Sequence, residues 1–304
     1  MLKKIAPFLV IAAGCMWGSI GVFVRYLDQM GLSNTTIVEI RMIGAALMLF
    51  FAVLLYDKKL FRFKLKDSWV FIGAGLASAI GLNYFYNLAI QEVSLSFAAI
   101  LLSTMPIFVL LISFFLFKED IARKKIISVF LMILGCICVS GFLDGAGAII
   151  SLKGILFGLI SGIGYAFCSI FIRIGINKGY SSLTINLYCF VVACLSLLFF
   201  TDWHAIGAMI APAPPERIGF LIFYSFICAA LPYALYFFSF NHMDTGKASI
   251  LASCEPAAAT VFGFIYFSEV PTVFSIFGIL IVFIALALMS RPDKLMEVKS
   301  TEVL

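Results

Sequence analysis

Residues 246–269 read GKASILASCEPAAATVFGFIYFSE, an apolar stretch holding one carboxylate, Glu255, followed directly by Pro256. Proline lacks a backbone donor and disturbs the turn before it, which frees the carbonyl of Ala252. A free carbonyl beside a carboxylate makes a polar node suited to a proton or to the cationic group of a substrate. If the stretch is a membrane helix, Glu255 lies about 13 Å along its axis, near the midplane. A charge there costs on the order of 2.5–3.5 kcal/mol. The competing reading is a neutral, hydrogen-bonded acid that serves packing alone.

Other polar and aromatic residues recur at helical spacing. Asn83, Asn87 and Gln91 stand at i, i+4 and i+8 on one face, with Tyr86 alongside. In lipid such a stripe must face protein or water, so it either hydrogen-bonds a substrate or ties helices together. The corresponding later stretch, behind Pro232, is aromatic and carries Tyr233, Tyr236 and Phe237. Trp17 and Tyr165 occupy equivalent places in two runs, and facing rings could hold an apolar or cationic substrate. Aromatics make up 15% of the chain, however, so packing competes as a role for any one ring. Ser103 and Ser253 precede Pro106 and Pro256 by one turn, where each could bond a freed carbonyl or a substrate.

The charged candidates lie nearer the helix ends. Arg41 is a candidate for a substrate carboxylate or a gate, against snorkelling to the interface; Glu39, two residues earlier, falls on a different face. Lys247 with Asp244 forms a candidate gate pair against a solvated turn. Arg25 and Arg173, at equivalent helix ends, read as interfacial anchors.

These residues need a frame, and composition names it. The 304 residues are 63% hydrophobic and 12% charged, with a mean hydropathy of +1.12, whereas soluble domains hold about 45–50% apolar and ~25% charged residues. Ten apolar runs approach the roughly 20 residues a span needs. They lie near 6–26, 35–56, 69–90, 95–117, 125–142, 153–176, 182–201, 218–240, 246–267 and 271–290, with 202–217 expected as a solvent loop. Positive residues mark cytoplasmic loops. With the N-terminus inside, fifteen of the 21 Lys and Arg fall on the cytoplasmic side, and only Lys153 and Arg217 outside. Both termini are therefore expected in the cytoplasm, in a multi-pass protein of the cell membrane. Lys3-Lys4 and the Ala12-Ala13-Gly14-Cys15 segment look like a signal peptide, but removing them would leave nine runs; they read as the first helix.

The eight cysteines lie in apolar runs and His204 and His242 in loops, so neither a metal site nor a cofactor is expected. No glycine-rich nucleotide loop follows a strand, and no nucleophile, histidine and acid can be assembled. Glycine pairs such as Gly14/Gly18 and Gly158/Gly162 read as close helix packing.

The chain repeats itself. Shifting it by 150 residues aligns SFAAILLSTMPIFVLLISFFLFKE, from Ser96, with the stretch from Gly246 at eight of 24 positions, including Pro106/Pro256 and Glu119/Glu269. A shift of 148 aligns the first run with the sixth, pairing Gly14 with Gly162 and Arg25 with Arg173. Five runs per half means that the second half enters the membrane from the opposite side. The expectation is an all-α integral membrane protein of ten transmembrane helices in two inverted five-helix repeats, 1–147 and 148–290, with a cytoplasmic tail at 291–304. Inverted repeats are a transporter's architecture, and matching Pro-interrupted helices point to the site.

With MWGSIGVFVRY from Met16, EIRMIGAALML from Glu39, YFYNLAIQEVSLSFAAIL from Tyr84 and EPAAATVFGFIYFSE from Glu255, nearly the whole chain resembles the drug/metabolite transporter superfamily, specifically the EamA-type ten-helix carriers. The resemblance implies export of amino acids, other metabolites or drugs. Together with the residues it suggests a secondary carrier for amino acids with apolar or aromatic side chains, working by alternating access, with protons as possible coupling ions and homodimerisation left open. The rivals are a carrier of organic cations such as quaternary ammonium compounds and, from another class, a non-transporting membrane enzyme or receptor. Nucleic acid is not an expected partner; a small-molecule substrate and the lipid bilayer are.

Overall fold

The computed structural model describes residues 2–93, 98, 101–139, 143, 151–268 and 271–290. Every regular element among them is helical. We label the principal rods α1 (Lys4–Gln29), α2 (Asn34–Tyr56), α3 (Leu65–Ala89), α4 (Met105–Phe117), α5 (Arg123–Val139), α6 (Leu152–Asn177), α7 (Ser182–Phe200), α8 (Pro214–Ser239), α9 (Thr245–Phe267) and α10 (Val273–Ser290).

Seven of these, α1–α3 and α6–α9, are long and apolar enough to cross a membrane. The ten spans expected from sequence are thus met in part among the described residues. Residues 94–97 and 99–100, where the fourth run opens, lie outside those residues, α4 keeps 13 residues, and α5 starts on three consecutive basic residues, Arg123–Lys125. The outer faces carry bare apolar side chains, with Leu55 85%, Phe115 79% and Phe199 88% exposed. Such a surface suits hydrocarbon as its solvent.

The segment 202–217, expected as a loop, instead contains a short helix, Trp203–Ile210. Asp202 caps it by accepting from the Ala205 N–H at 2.9 Å, and Met209 packs into a cluster with Leu27, Ile37 and Tyr224. One buried methionine and one cap suffice to order a turn-rich segment whose Ala-Pro-Ala-Pro-Pro sequence suggested none. His204 therefore sits on a helix.

The duplication read in the sequence is present in the backbone. The only non-glycine residues with positive φ among those described are Lys118 (54°) and Ser268 (55°), 150 positions apart, and each ends a helix. The positive-φ glycines, Gly31 and Gly179 (both 86°), are 148 apart, in tight turns that favour glycine. Ser33 and Ser181, also 148 apart, cap α2 and α7. Packing obeys the same exchange. α1 lies on α8 and α9 as α6 lies on α3 and α4, α2 meets α8 as α7 meets α3, and α2–α7, α4–α9 and α5–α10 pair across the two halves.

Glycine sets how closely α1 meets α9. A Cβ on Gly18 would stand 2.8 Å from the Glu255 carbonyl oxygen and 2.8 Å from the Ala259 nitrogen, and one on Gly14 would stand 2.9 Å from the Ala252 oxygen. Backbone cannot yield as a side-chain tip can. Gly18→Val should therefore destabilise the protein by about 1–3 kcal/mol, seen as a lower unfolding temperature in detergent. Gly21→Val, where nothing lies within 4 Å, should leave that temperature nearly unchanged. Equal melting of the two variants would contradict this packing.

Candidate substrate cavity

α9 is two half-helices. Thr245–Ala252 ends at Ser253, and Glu255–Phe267 begins after Cys254 with Pro256 in its first turn, where a missing N–H costs least. At the matching place the chain breaks at Ser103–Thr104, between the helical residues 101–102 and α4, which carries Pro106 in its first turn. Side-chain hydroxyls take up carbonyls around the breaks: Thr104 Oγ1 donates to the Leu101 oxygen at 2.6 Å, Ser253 Oγ to Ser249 at 3.1 Å, and Thr260 Oγ1 to Pro256 at 3.1 Å. Ser253 Oγ thus bonds the carbonyl of Ser249, which also accepts the Ser253 N–H at 3.3 Å, and not that of Ala252.

α3 and α8 are irregular at matching depth as well. Each contains π-helical turns, Ala77–Tyr84 in α3 and Phe226–Ala230 in α8. Such widened turns recur at functional sites. In α3 the Asn83 amide donates back to the Ser78 oxygen at 2.7 Å, while its Oδ1 accepts from Arg41 Nη2 at 3.1 Å. Asn83 therefore orients Arg41, which is buried at 5% exposure and has a second nitrogen, Nε, with no partner.

These irregular segments surround one cavity of about 580 Å³. Its polar wall includes Arg41, Asn83, Asn87, Ser103 and Glu255. Its aromatic wall includes Trp17, Tyr86, Tyr165 and Tyr233, and Pro256 also reaches it. Trp17 is the hub of the ring cluster, edge-on to Tyr233 at 5.0 Å, to Tyr236 at 5.4 Å and to Tyr165 at 6.3 Å. Its indole N–H is buried with no hydrogen-bond partner. Glu255 is partly exposed to the cavity, and no hydrogen bond or ion pair among the described residues engages its carboxylate. Arg41 and Glu255 are near enough for their charges to interact, yet they form no direct ion pair.

Of the expected substrate-binding residues, Tyr236 lies behind the cavity wall, and the expected break and gate residues lie as follows. Tyr236 is 1% exposed and sits behind Trp17, its hydroxyl 3.2 Å from that of Ser169, so it supports the wall without forming it. Pro106, expected as a helix break, is buried in the first turn of α4 directly after Met105, which lines the cavity. Lys247 is buried near the start of α9; Asp244 caps that helix by accepting from the Lys247 backbone N–H at 2.6 Å and pairs with Lys125 at 3.2 Å. The Gln91 side chain and Glu269 lie outside the described residues.

The two arginines read as interfacial anchors lie at opposite ends of the bundle. Arg25 lines the cavity mouth, its guanidinium 4.5 Å from the Phe267 ring centre. Arg173, at the opposite end of the bundle, donates to the carbonyls of Phe240 and Met243 and lies 3.7 Å from Glu119. Met105 lines the cavity at the position equivalent to Glu255. Glu39 is fully buried, with both carboxylate oxygens unpartnered; its place one face away from Arg41 gave no hint of this.

Residues 4–141 and 152–291 each match the model of the EamA-like transporter family. An uncharacterized transporter of Bacillus subtilis, YxxF, is 22% identical over 289 residues, covering 94% of this chain and 89% of its own. An uncharacterized transporter of Archaeoglobus fulgidus is 25% identical over 278 residues, covering 88% and 90%. A solved crystal structure superposes with a TM-score of 0.75 at 14% identity over 93% of this chain and 95% of the other, a likeness of fold. With both halves matched and the two lengths nearly coincident, the chain belongs to the EamA-like transporter family.

Proposed function

We propose that this transporter is a secondary carrier that exports amino acids with apolar or aromatic side chains, by alternating access of two inverted five-helix repeats in the cell membrane. Ten spanning helices and cytoplasmic termini complete this reading, the latter resting on the basic residues of the connecting loops. One observation carries the substrate class. Arg41 and Glu255, of opposite charge, face the same cavity without pairing with each other, between aromatic walls.

A zwitterion answers both charges. The substrate carboxylate meets Arg41, which Asn83 holds from behind; the ammonium meets Glu255, and the side chain packs among Trp17, Tyr86, Tyr165 and Tyr233. An amino acid crossing as a zwitterion replaces solvent dipoles with fixed charges already in place. A quaternary ammonium compound would satisfy Glu255 and the rings but leave Arg41 without an anion. Glu255 can also carry a proton when the substrate leaves, which makes it the coupling residue of this scheme. The cavity mouth beside Arg25, Asn34 and Phe267 is then the external one, so the structure is outward-open.

Two measurements test this. In proteoliposomes, saturable flux of labelled tryptophan, phenylalanine or leucine is expected, with tryptamine transported at least about tenfold less efficiently, since a lost charged hydrogen bond is worth about 1.5–3 kcal/mol. Flux of tryptamine and tetraalkylammonium without flux of the amino acids would establish the organic-cation reading instead. The second compares Glu255→Gln with Arg41→Gln. Glu255→Gln should abolish the response of flux to an imposed proton gradient, while Arg41→Gln should raise KM about tenfold or more and keep that response. A folded Glu255→Gln protein with normal gradient dependence would remove Glu255 from coupling.

A further inference from the structure

We propose that Glu119 is the keystone of a latch that closes the lysine-rich end of the cavity, and that its release from α9 is the step that opens the cavity to that side. The proposal rests on the alternating-access reading above, but not on the identity of the substrate.

The latch begins with backbone geometry. Lys118 ends α4 in the left-handed region, with φ 54°, and this sharp turn sends the chain back over the bundle. Glu119 then accepts from the Thr245 N–H at 3.0 Å through Oε1 and from the Gly246 N–H at 3.3 Å through Oε2. These are first-turn donors of α9, which have no partner within their own helix, and a carboxylate there is further favoured by the helix dipole. Arg173 Nη2 lies 3.7 Å from the same Oε1 and its Nη1 donates to the Phe240 and Met243 carbonyls. One carboxylate thereby joins α4 of the first half to α6, α9 and the end of α8 in the second.

A second contact runs parallel to it. Lys125, at the start of α5, pairs with Asp244 at 3.2 Å and donates to the Asp120 carbonyl at 2.7 Å. Beside this polar layer lies an apolar plug, in which Phe240 is fully buried and meets Tyr236 edge-on at 4.8 Å. Tyr236 in turn backs Trp17 on the cavity wall.

These groups suit a reversible closure. Glu119 and Arg173 are 9% and 20% exposed, so water can replace their bonds as the helices part. Pairs of this kind define a geometry more than they add stability.

The test reads access from the lysine-rich face of the full-length protein in inside-out membrane vesicles. Ser249 is fully buried in the first half of α9, just beneath the latch. A membrane-impermeant maleimide should label Ser249→Cys about tenfold faster when Glu119→Gln or Arg173→Gln is also present, given the usual worth of charge-assisted bonds. The native cysteines set the baseline, and an unchanged melting temperature excludes unfolding. Equal labelling rates with and without either latch substitution would overturn the proposal. Should those variants not fold, Glu119→Cys paired with Thr245→Cys gives an independent arm. Oxidation of the two thiols to a disulfide by copper phenanthroline should stop transport of an amino acid found active in the flux panel, and dithiothreitol should restore it. Undiminished flux through the crosslinked protein would refute the latch. If no amino acid is carried even by the reduced protein, the substrate reading has failed, and protection of Ser249→Cys from maleimide by the crosslink then decides the latch alone.

Discussion

In hydrocarbon every backbone N–H and C=O must find a partner inside the protein, so a membrane helix can be interrupted only where protein or a water-filled cavity receives the freed groups. That constraint organises this molecule. The breaks in α4 and α9 and the widened turns in α3 and α8 are all costly irregularities, and residues in or beside them line the same cavity: Leu82 and Asn83, Ser103 and Met105, Tyr224 and Tyr233, Ser253 and Glu255. Serine and threonine hydroxyls add bonds to carbonyls beside the breaks, and Asn83 bonds the Ser78 carbonyl across the wide turn of α3. Function and irregular backbone coincide because lipid permits the second only where there is room for the first.

The duplicated scaffold carries unlike chemistry. Positions related by the 148- and 150-residue shifts share backbone conformation but not side chains: Glu255 corresponds to Met105, Asn83 to Tyr233, and Arg41 to Cys189. The first half thus brings the guanidinium and the amides, while the second brings the carboxylate and more of the rings. A symmetric frame can exchange two conformations at little cost, because each half can adopt the packing of the other. An asymmetric lining keeps one ligand orientation through that exchange. The close contact of Gly14 and Gly18 with the α9 break ties both properties together, since it fixes the carboxylate against the helix that carries Trp17.

Much of this was legible in the sequence. Apolar runs placed most helix bounds within a few residues, because hydrocarbon thickness sets a length that composition reveals directly. The Pro106/Pro256 pair marked both helix breaks, and the amide stripe located Asn83 and Asn87 on the cavity. Helical periodicity identifies a face, however, not the neighbour opposite it. Tyr236 shares its helix with Tyr233, yet one turn along the axis separates a cavity wall from a plug. For the same reason the contacts of Arg25 with Phe267 and of Arg173 with Glu119 were not legible: a terminal arginine has the same sequence signature whether it meets a headgroup, an aromatic ring or a glutamate. The short helix Trp203–Ile210 was invisible because it rests on the tertiary contact of Met209.

Charge balance in the cavity bears on energetics beyond recognition. Moving one elementary charge across the membrane involves about 2.3 kcal/mol per 100 mV. A cation exported alone from a cell with a negative interior would meet that cost in full. An exported zwitterion carries no net charge and escapes it, so a returning proton on Glu255 would bring the whole proton driving force to the exchange. Arg41 contributes even when no ligand is present. Arg41 and Glu255 line the same cavity, and an opposite charge nearby lowers what an isolated carboxylate would cost at that depth. In the proposed reading, the pair of charges that would take a zwitterionic substrate would also balance each other in the empty carrier, so removing either charge should disturb the protein even without substrate.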